Sequence, residues 1–464
     1  MEEFNVHGIH ARMGDIAQDR LAMLKTSNDQ LVSVEKFGQT GLFNMGNTCF
    51  FNASVQILAH TVKLRNYLLS NKFKEKVNDV IKADLIKQGI ISQPKEGDNS
   101  TSIDSKMIEH EGSKYMSYCF ANLFDSMWKT FPSLRPVSLY TLFKKKHPMF
   151  GMNGQEDANE CIMPMLDDFH MEICEKANVI FPEISEDVKQ LVLIRDEYVR
   201  TLKDKSSTKK EIETSKNNYD KYKKDHVNAK VTYESFKYWQ KHIKTSKFSK
   251  VTDLFDGLLN RTVECDECKN VSYSFTPYRH LPVPIPIGQS STRNVQITLD
   301  DCLKQYCCPE TLSGEDQYKC EICNKKVNSV TNTKLWEISD TLSIQFVRFH
   351  KTQMVGRNMI SQKNNIRISY PLKLNIFEYL SDISKLNKQS KIEDCNYELY
   401  GVICHSGTQG GNQGGGHYYA LCKNSFDNLW YCYNDSSVNK ISVDQATNDD
   451  NAYILYYDYI GKKS

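Results

Sequence analysis

After Cys49 the apolar positions Phe51, Val55, Leu58, Ala59 and Val62 recur at steps of mostly three and four residues, which predicts a helix with one buried face. The stretch before it, GLFNMGNT, has the Asn and Gly of a turn, so Cys49 falls at or near a helix N-terminus. A second helical block spans roughly residues 114–130, reached through the polar stretch KEGDNSTSIDSK. A third follows Gly151 and Gly154, with Ala158, Cys161, Ile162, Met165, Leu166 and Phe169 on its apolar stripe. Pro164 is expected to kink or divide that helix, because proline removes a backbone donor.

From about Ile184 to Phe236 the texture changes. Thirteen of the 24 residues from Lys203 to His226 are charged, with no glycine or proline among them. Ile212, Tyr219, His226 and Tyr233 fall seven apart, and Ser215, Tyr222, Ala229 and Phe236 follow each by three, a heptad with weak core slots. Upstream, Val188, Leu191, Tyr198 and Leu202 form a comparable stripe, and Thr208 with Glu211 has capping-box spacing. The pattern predicts two antiparallel helices joined near Ser206 and inserted into a larger domain, against the alternative of a solvated lysine-rich linker.

After residue 251 the runs VSYSF, LSIQFVRF, ELYGVICHS, HYYALCK, LWYCYN and AYILYYDY are β-branched and aromatic, with turn residues between them. A helical N-terminal half followed by a β-rich C-terminal half gives an α+β fold class. Residues 1–39 are polar and mixed and are expected to be an N-terminal extension to a domain over 40–458.

Charge narrows the function classes. The 464 residues carry 59 basic and 57 acidic side chains, a net charge of +2, which removes a global electrostatic case for nucleic acid or membrane as partner. The first twenty residues lack the apolar core of a signal peptide, and no run approaches the roughly 18 apolar residues of a spanning helix. Fifteen cysteines in such a chain point to reduced thiols, metal ligation and catalysis, and to an intracellular, cytoplasmic and/or nuclear location.

Four of those cysteines form two knuckles, Cys265-Asp-Glu-Cys268 and Cys320-Glu-Ile-Cys323, with 51 residues between them. Structural Zn²⁺ takes four thiolates tetrahedrally, and each C-x-x-C turn presents two from one side, so one Zn²⁺ closing a β excursion over about 255–335 is expected.

Cys49 is a candidate nucleophile if a histidine activates it. His417 follows Gly414, Gly415 and Gly416 and opens an apolar strand, and Asn434 and Asp435 lie seventeen and eighteen residues on. Either is placed to accept from Nδ1–H of His417 and fix its tautomer. Cys49, His417 and Asn434 then stand in the order of a papain-like Cys-His-Asn protease, and Asn44 offers a side-chain amide for an oxyanion.

GLFNMGNTCFFNASVQIL resembles the cysteine box of the ubiquitin-specific proteases, and GGGHYYALCKN with WYCYNDSSV resembles their histidine box. GQEDANECIMPMLDDFH, DDCLKQYCCPETLSGEDQYKCEICNKK and SIQFVRF are similar to segments that lie between those boxes in the same order. The resemblance implies a papain-like cysteine protease fold with thumb, palm and zinc-tied fingers. It implies a thiol-dependent deubiquitinase hydrolysing isopeptide or peptide bonds at ubiquitin's C-terminal glycine. Cys49 would be the nucleophile, His417 the base and then the acid, Asn434 the orienting residue with Asp435 beside it, and Asn44 the oxyanion donor. Gln155, Asp157 and Glu160 would meet the substrate tail, where ubiquitin's arginines suit acids, and Gly416 and Tyr418 would bind substrate beside the histidine. Ubiquitin and ubiquitinated proteins are the implied partners, with an activating protein through the insertion or the fingers. Departures from the family pattern are Ile338-Ser339-Asp340 in place of a Leu-Pro pair, Cys161 in place of Phe or Leu, and the glycine-expanded TQGGNQGGG.

Overall fold

The computed structural model describes residues 37–92, 105–129, 131–151, 154, 156–177, 185–286, 296–355, 358–387, 391–407, 409–410 and 416–461. The expected extension lies outside them as far as residue 36, and so does Gln155.

The helix Cys49–His60 is buried at every position, where its periodicity predicts one buried face. The cause is tertiary. Strands His417–Lys423 and Asn396–Ser406 cover one side and the helix Ala158–Ile173 covers another. Its polar residues therefore find partners inside: Gln56 Nε2 donates to the Thr40 carbonyl at 2.8 Å, and His60 sits between the Gln56 carbonyl and the Tyr433 hydroxyl. Burial pushes His60 down to about 4, which keeps it neutral. Phe50, Phe51, Val55 and Ile57, at most 1% exposed, each contribute about 1.5–3 kcal/mol by leaving water.

Ala158–Ile173 runs through Pro164 undivided. The missing proline N–H leaves one carbonyl without its helical donor. The buried face of Ala158, Cys161, Ile162, Met165, Leu166, Phe169 and Ile173 holds the helix together across that gap.

The palm is an eight-stranded sheet in the order Ser437–Ile441, Trp430–Asn434, His417–Lys423, Asn396–Ser406, Ala452–Tyr459, Thr341–Phe346 and Leu281–Val283, with Lys373–Asn375 pairing to Asn396–Ser406. All these pairs are antiparallel except Thr341–Phe346 with Leu281–Val283. A four-stranded sheet of Gly257–Cys265, Val271–Tyr278, Ser329–Glu337 and Glu310–Leu312 extends away from the palm as the fingers.

The insertion is helical and turns near Ser206 as the pattern predicts. Glu186–Lys203 and Lys209–Asp225 pack side by side, and Thr208 with Glu211 forms the capping box. A third helix, Val227–Ser246, follows a break at His226, so the heptad register does not run through that residue. Trp239 and Ile243 of this helix pack on Leu258, Phe275 and Trp336 of the fingers, which extends the helical insertion beyond residue 236. Among the described residues no helix is long and apolar enough to cross a membrane.

Candidate active site and metal centre

Thr48 is the N-cap of the central helix and Cys49 its first residue. First-turn N–H groups have no acceptor within their own helix and carry the positive end of its dipole. The preceding turn is held by Asn44, whose Oδ1 accepts from the N–H groups of Gly46 at 3.0 Å and Thr48 at 3.1 Å. Gly46 and Asn47 both have positive φ, at 104° and 53°, which Gly and Asn tolerate best.

His417 begins the strand packed against that helix. Its Nε2 lies 2.6 Å from Asn434 Oδ1. The ring also hydrogen-bonds the Cys49 thiol, which falls to Nδ1 because Nε2 is taken. The orienting contact is therefore to Nε2, where the sequence reasoning put Nδ1. The Cys49 hydrogen bond, followed by the Asn434 bond and the nearby charges, raises His417 to about 9 against the opposing effect of burial. His417 is thus imidazolium at neutral pH.

Asn434 and Asp435 diverge. Asp435 adopts φ 50° at the tip of the hairpin between Trp430–Asn434 and Ser437–Ile441, which turns its carboxylate away from the His417 ring. Oδ2 accepts from Asn44 Nδ2 at 3.0 Å and Oδ1 from Asn52 Nδ2 at 2.8 Å, while the Asp435 carbonyl accepts from Leu42 N–H at 2.8 Å. Gly41 permits this docking: a Cβ there would stand 2.5 Å from the Ser436 carbonyl oxygen. Asp435 therefore engages one of the two hydrogens of the Asn44 amide. Asn52 escaped the sequence reasoning; its signal was a carboxamide three residues after Cys49.

The substrate-side residues separate as well. Asp157 caps the helix Ala158–Ile173 by accepting from the N–H groups of Asn159 at 2.8 Å and Glu160 at 3.2 Å, and it accepts from the Tyr453 hydroxyl. Glu160 is exposed in the first turn. Gly416 is buried beside His417. Tyr418, expected to bind substrate, is 4% exposed and packs on His405 with ring centroids 4.5 Å apart, so its side chain belongs to the core. Strand alternation explains the difference, since neighbours of His417 point to the opposite face.

At the fingertip the sulfurs of Cys265, Cys268, Cys320 and Cys323 lie within 4.8 Å of one another. The separations Cys265–Cys323 and Cys268–Cys320 are 3.8 and 3.6 Å, far from disulfide length. A tetrahedron with Zn–S bonds of about 2.3 Å has edges of about 3.8 Å, so the donor set fits the ion. The Cys268 and Cys323 N–H groups each donate to the first sulfur of their knuckle at 3.5 Å. Beside the knuckles, Lys269 and Lys325 face Glu264, Asp266 and Glu267.

The sequence profile described as ubiquitin carboxyl-terminal hydrolase matches residues 40–457. The chain belongs to the ubiquitin carboxyl-terminal hydrolase family. It is accordingly a deubiquitinase of the thiol-dependent class. A protein of Acanthamoeba polyphaga mimivirus, named probable ubiquitin carboxyl-terminal hydrolase, is 28% identical over 446 residues, 90% of each chain. The ubiquitin carboxyl-terminal hydrolase Usp2 of Drosophila melanogaster is 28% identical over 91% of this chain and 35% of its own length. Among solved structures, the SAGA DUB module of Ubp8, Sgf11, Sus1 and Sgf73 bound to monoubiquitin is similar in fold, with TM-score 0.58 at 19% identity over 97% of this chain and 75% of that one. The same module bound to ubiquitin aldehyde aligns with TM-score 0.56.

Proposed function

We propose that Cys49, His417 and Asn434 carry out this family's hydrolysis, with Asn44 and Asp435 serving the oxyanion. The observation that carries the proposal is the His417 ring held between the Cys49 thiol and Asn434 at a helix N-terminus. The Cys49 thiolate adds to the carbonyl carbon of ubiquitin's last glycine. The oxyanion accepts from the free hydrogen of Asn44 Nδ2 and from first-turn N–H groups. His417 imidazolium gives its proton to the leaving amine as the C–N bond breaks, and a thioester remains. Neutral His417 then draws a proton from water, whose oxygen attacks the thioester and returns Cys49. Incubation with ubiquitin carrying a C-terminal electrophile tests this: an adduct on Cys49 is expected, and an adduct on another cysteine sinks it.

Asp157 and Glu160 are proposed to receive the arginines of the ubiquitin tail. Burial and the charge of Glu160 raise the Glu156 carboxyl, so a cation would be welcome there. Gln155 and Gly416 belong to the same proposed tail channel.

Activity should fall on the alkaline side as His417 loses its proton. A folded-state value of about 9 against the ordinary 6.5 places that limb of kcat/KM near pH 9. Because the value is raised on folding, the associated stability is present below about 6.5 and lost as pH rises through about 9. A flat profile from pH 7 to 10 would contradict the assignment.

One structural Zn²⁺ is proposed at Cys265, Cys268, Cys320 and Cys323, where it would tie the fingertip without a part in turnover. Metal analysis should return about one zinc per chain, and chelation should lower Tm. Freshly purified, never chelated protein that is active but carries no zinc would overturn this.

An activating partner that engages the insertion and fingers is also proposed. Lys176, Lys237, Lys241 and Lys244 surround a groove of about 1330 Å³ with Tyr238, Tyr273 and Phe275, against one carboxylate, Glu234. Such a surface suits an acidic segment. Lys237→Glu with Lys241→Glu should abolish stimulation by the partner and leave basal hydrolysis intact; unchanged stimulation would contradict it. The fifteen free cysteines support a reducing compartment, cytoplasm or nucleus.

A further inference from the structure

Two buried cations are answered by main-chain carbonyls near the end of the strand Asn396–Ser406 and at Ala452: Arg348, 1% exposed, and Lys363, 5% exposed. Arg348 is answered by main-chain carbonyls, with Nε on Ala452 at 2.8 Å and Nη1 on Asn364 at 2.9 Å and Ile366 at 2.8 Å. Lys363 Nζ donates to the carbonyls of His405 and Gly407, the second at 3.2 Å.

Those two carbonyls flank Ser406. In the antiparallel ladder Ser406 stands directly opposite His417, and its hydroxyl donates to the His417 carbonyl at 3.2 Å. One residue later Gly407 takes φ 107° and the chain leaves the strand. The last rung of this ladder is therefore the one that carries the general base, and strand ends fray unless they are held. Lys363 grips both sides of that rung.

A buried ammonium is costly to keep, and an apolar side chain of similar volume fills such space with less penalty. Burial and the charge of Arg348 push Lys363 down to about 8. A charged group in such a place is explained by what its donors hold.

We propose that Lys363 is a positioning residue for catalysis: by clamping the carbonyls of His405 and Gly407 it fixes Ser406, and through Ser406 the backbone of His417. This rests on the assignment of His417 as the base. The reacting atoms are untouched by Lys363, so its effect belongs in kcat and in the mobility of one strand end.

Lys363→Met, assayed on a ubiquitin-amide substrate, should lower kcat by about tenfold or more with KM within about twofold. Amide hydrogen exchange should accelerate at residues 405–407 and 416–418 and remain unchanged in the Cys49–His60 helix. Lys63→Met, which breaks ion pairs of 3.1 Å to Asp340 and Asp458 elsewhere in the domain, should lower Tm without that kcat loss. If Lys363→Met does not fold, Ser406→Ala removes only the hydroxyl bond to His417 and should still cut kcat about threefold at normal Tm. Wild-type kcat in Lys363→Met or in Ser406→Ala, or exchange that accelerates evenly across the domain, overturns the proposal. Failure of the parent assignment would show separately, as absence of the Cys49 adduct in wild-type protein, and the exchange result would still stand.

Discussion

Cys49→Ala is expected to abolish hydrolysis of ubiquitin-amide substrates, by roughly 10⁴-fold or more, while affinity for ubiquitin survives. In the proposed mechanism the Cys49 sulfur supplies the bond-forming atom, and nothing in the variant replaces it. It supplies almost no grip, because the side chain is 1% exposed and its neighbours on the helix face inward. Single-turnover cleavage and direct binding of ubiquitin to the same folded variant check this together. Loss of both would mean that Cys49 is part of the docking surface, contrary to its burial.

Asp435→Ala is expected to be the more damaging change of the hairpin pair, lowering kcat by about 10²–10³-fold, the scale of losing one oxyanion donor, with little change in KM. Its two carboxylate oxygens hold Asn44 and Asn52, and without them the donor side of the Asn44 amide loses its anchor while Oδ1 stays on the Gly46 and Thr48 N–H groups. Asn434→Ala removes the acceptor on His417 Nε2 but leaves the Cys49 bond and the Asp435 charge that also hold the imidazolium, so a loss of about tenfold is expected. Single-turnover rates decide between them. If Asn434→Ala falls to the Cys49→Ala baseline while Asp435→Ala remains near wild type, the division of labour drawn from the hairpin is wrong.

What the sequence made legible was local. The Asn-Gly turn before Cys49, the two C-x-x-C knuckles and the Thr208–Glu211 capping box are each defined within a few residues, and each forms as its spacing implies. What stayed hidden depended on residues far along the chain. Nothing near Asn434 indicates that Asp435 turns to a left-handed conformation and reaches residues almost four hundred positions earlier. The one-sided stripe of the Cys49 helix could not reveal that both sheet and helices would cover it. The break at His226 has no glycine or proline to announce it, and it becomes sensible once Val231, Trp239 and Ile243 are seen packed on the fingers. Tyr418 follows the same lesson at smaller scale, since adjacency to His417 along a strand means the opposite face.

The exposure of the cysteines ranks them for chemical probing. Cys268 and Cys308 are open to solvent, whereas Cys49 is buried. A small alkylating reagent that reacts with whichever sulfur it meets first therefore arrives at the fingertip before it reaches Cys49. Because Cys268 is one of the proposed zinc ligands, modification by such a reagent disturbs the fingertip as readily as the active site. A probe delivered on the ubiquitin tail approaches from the channel side and reverses that order.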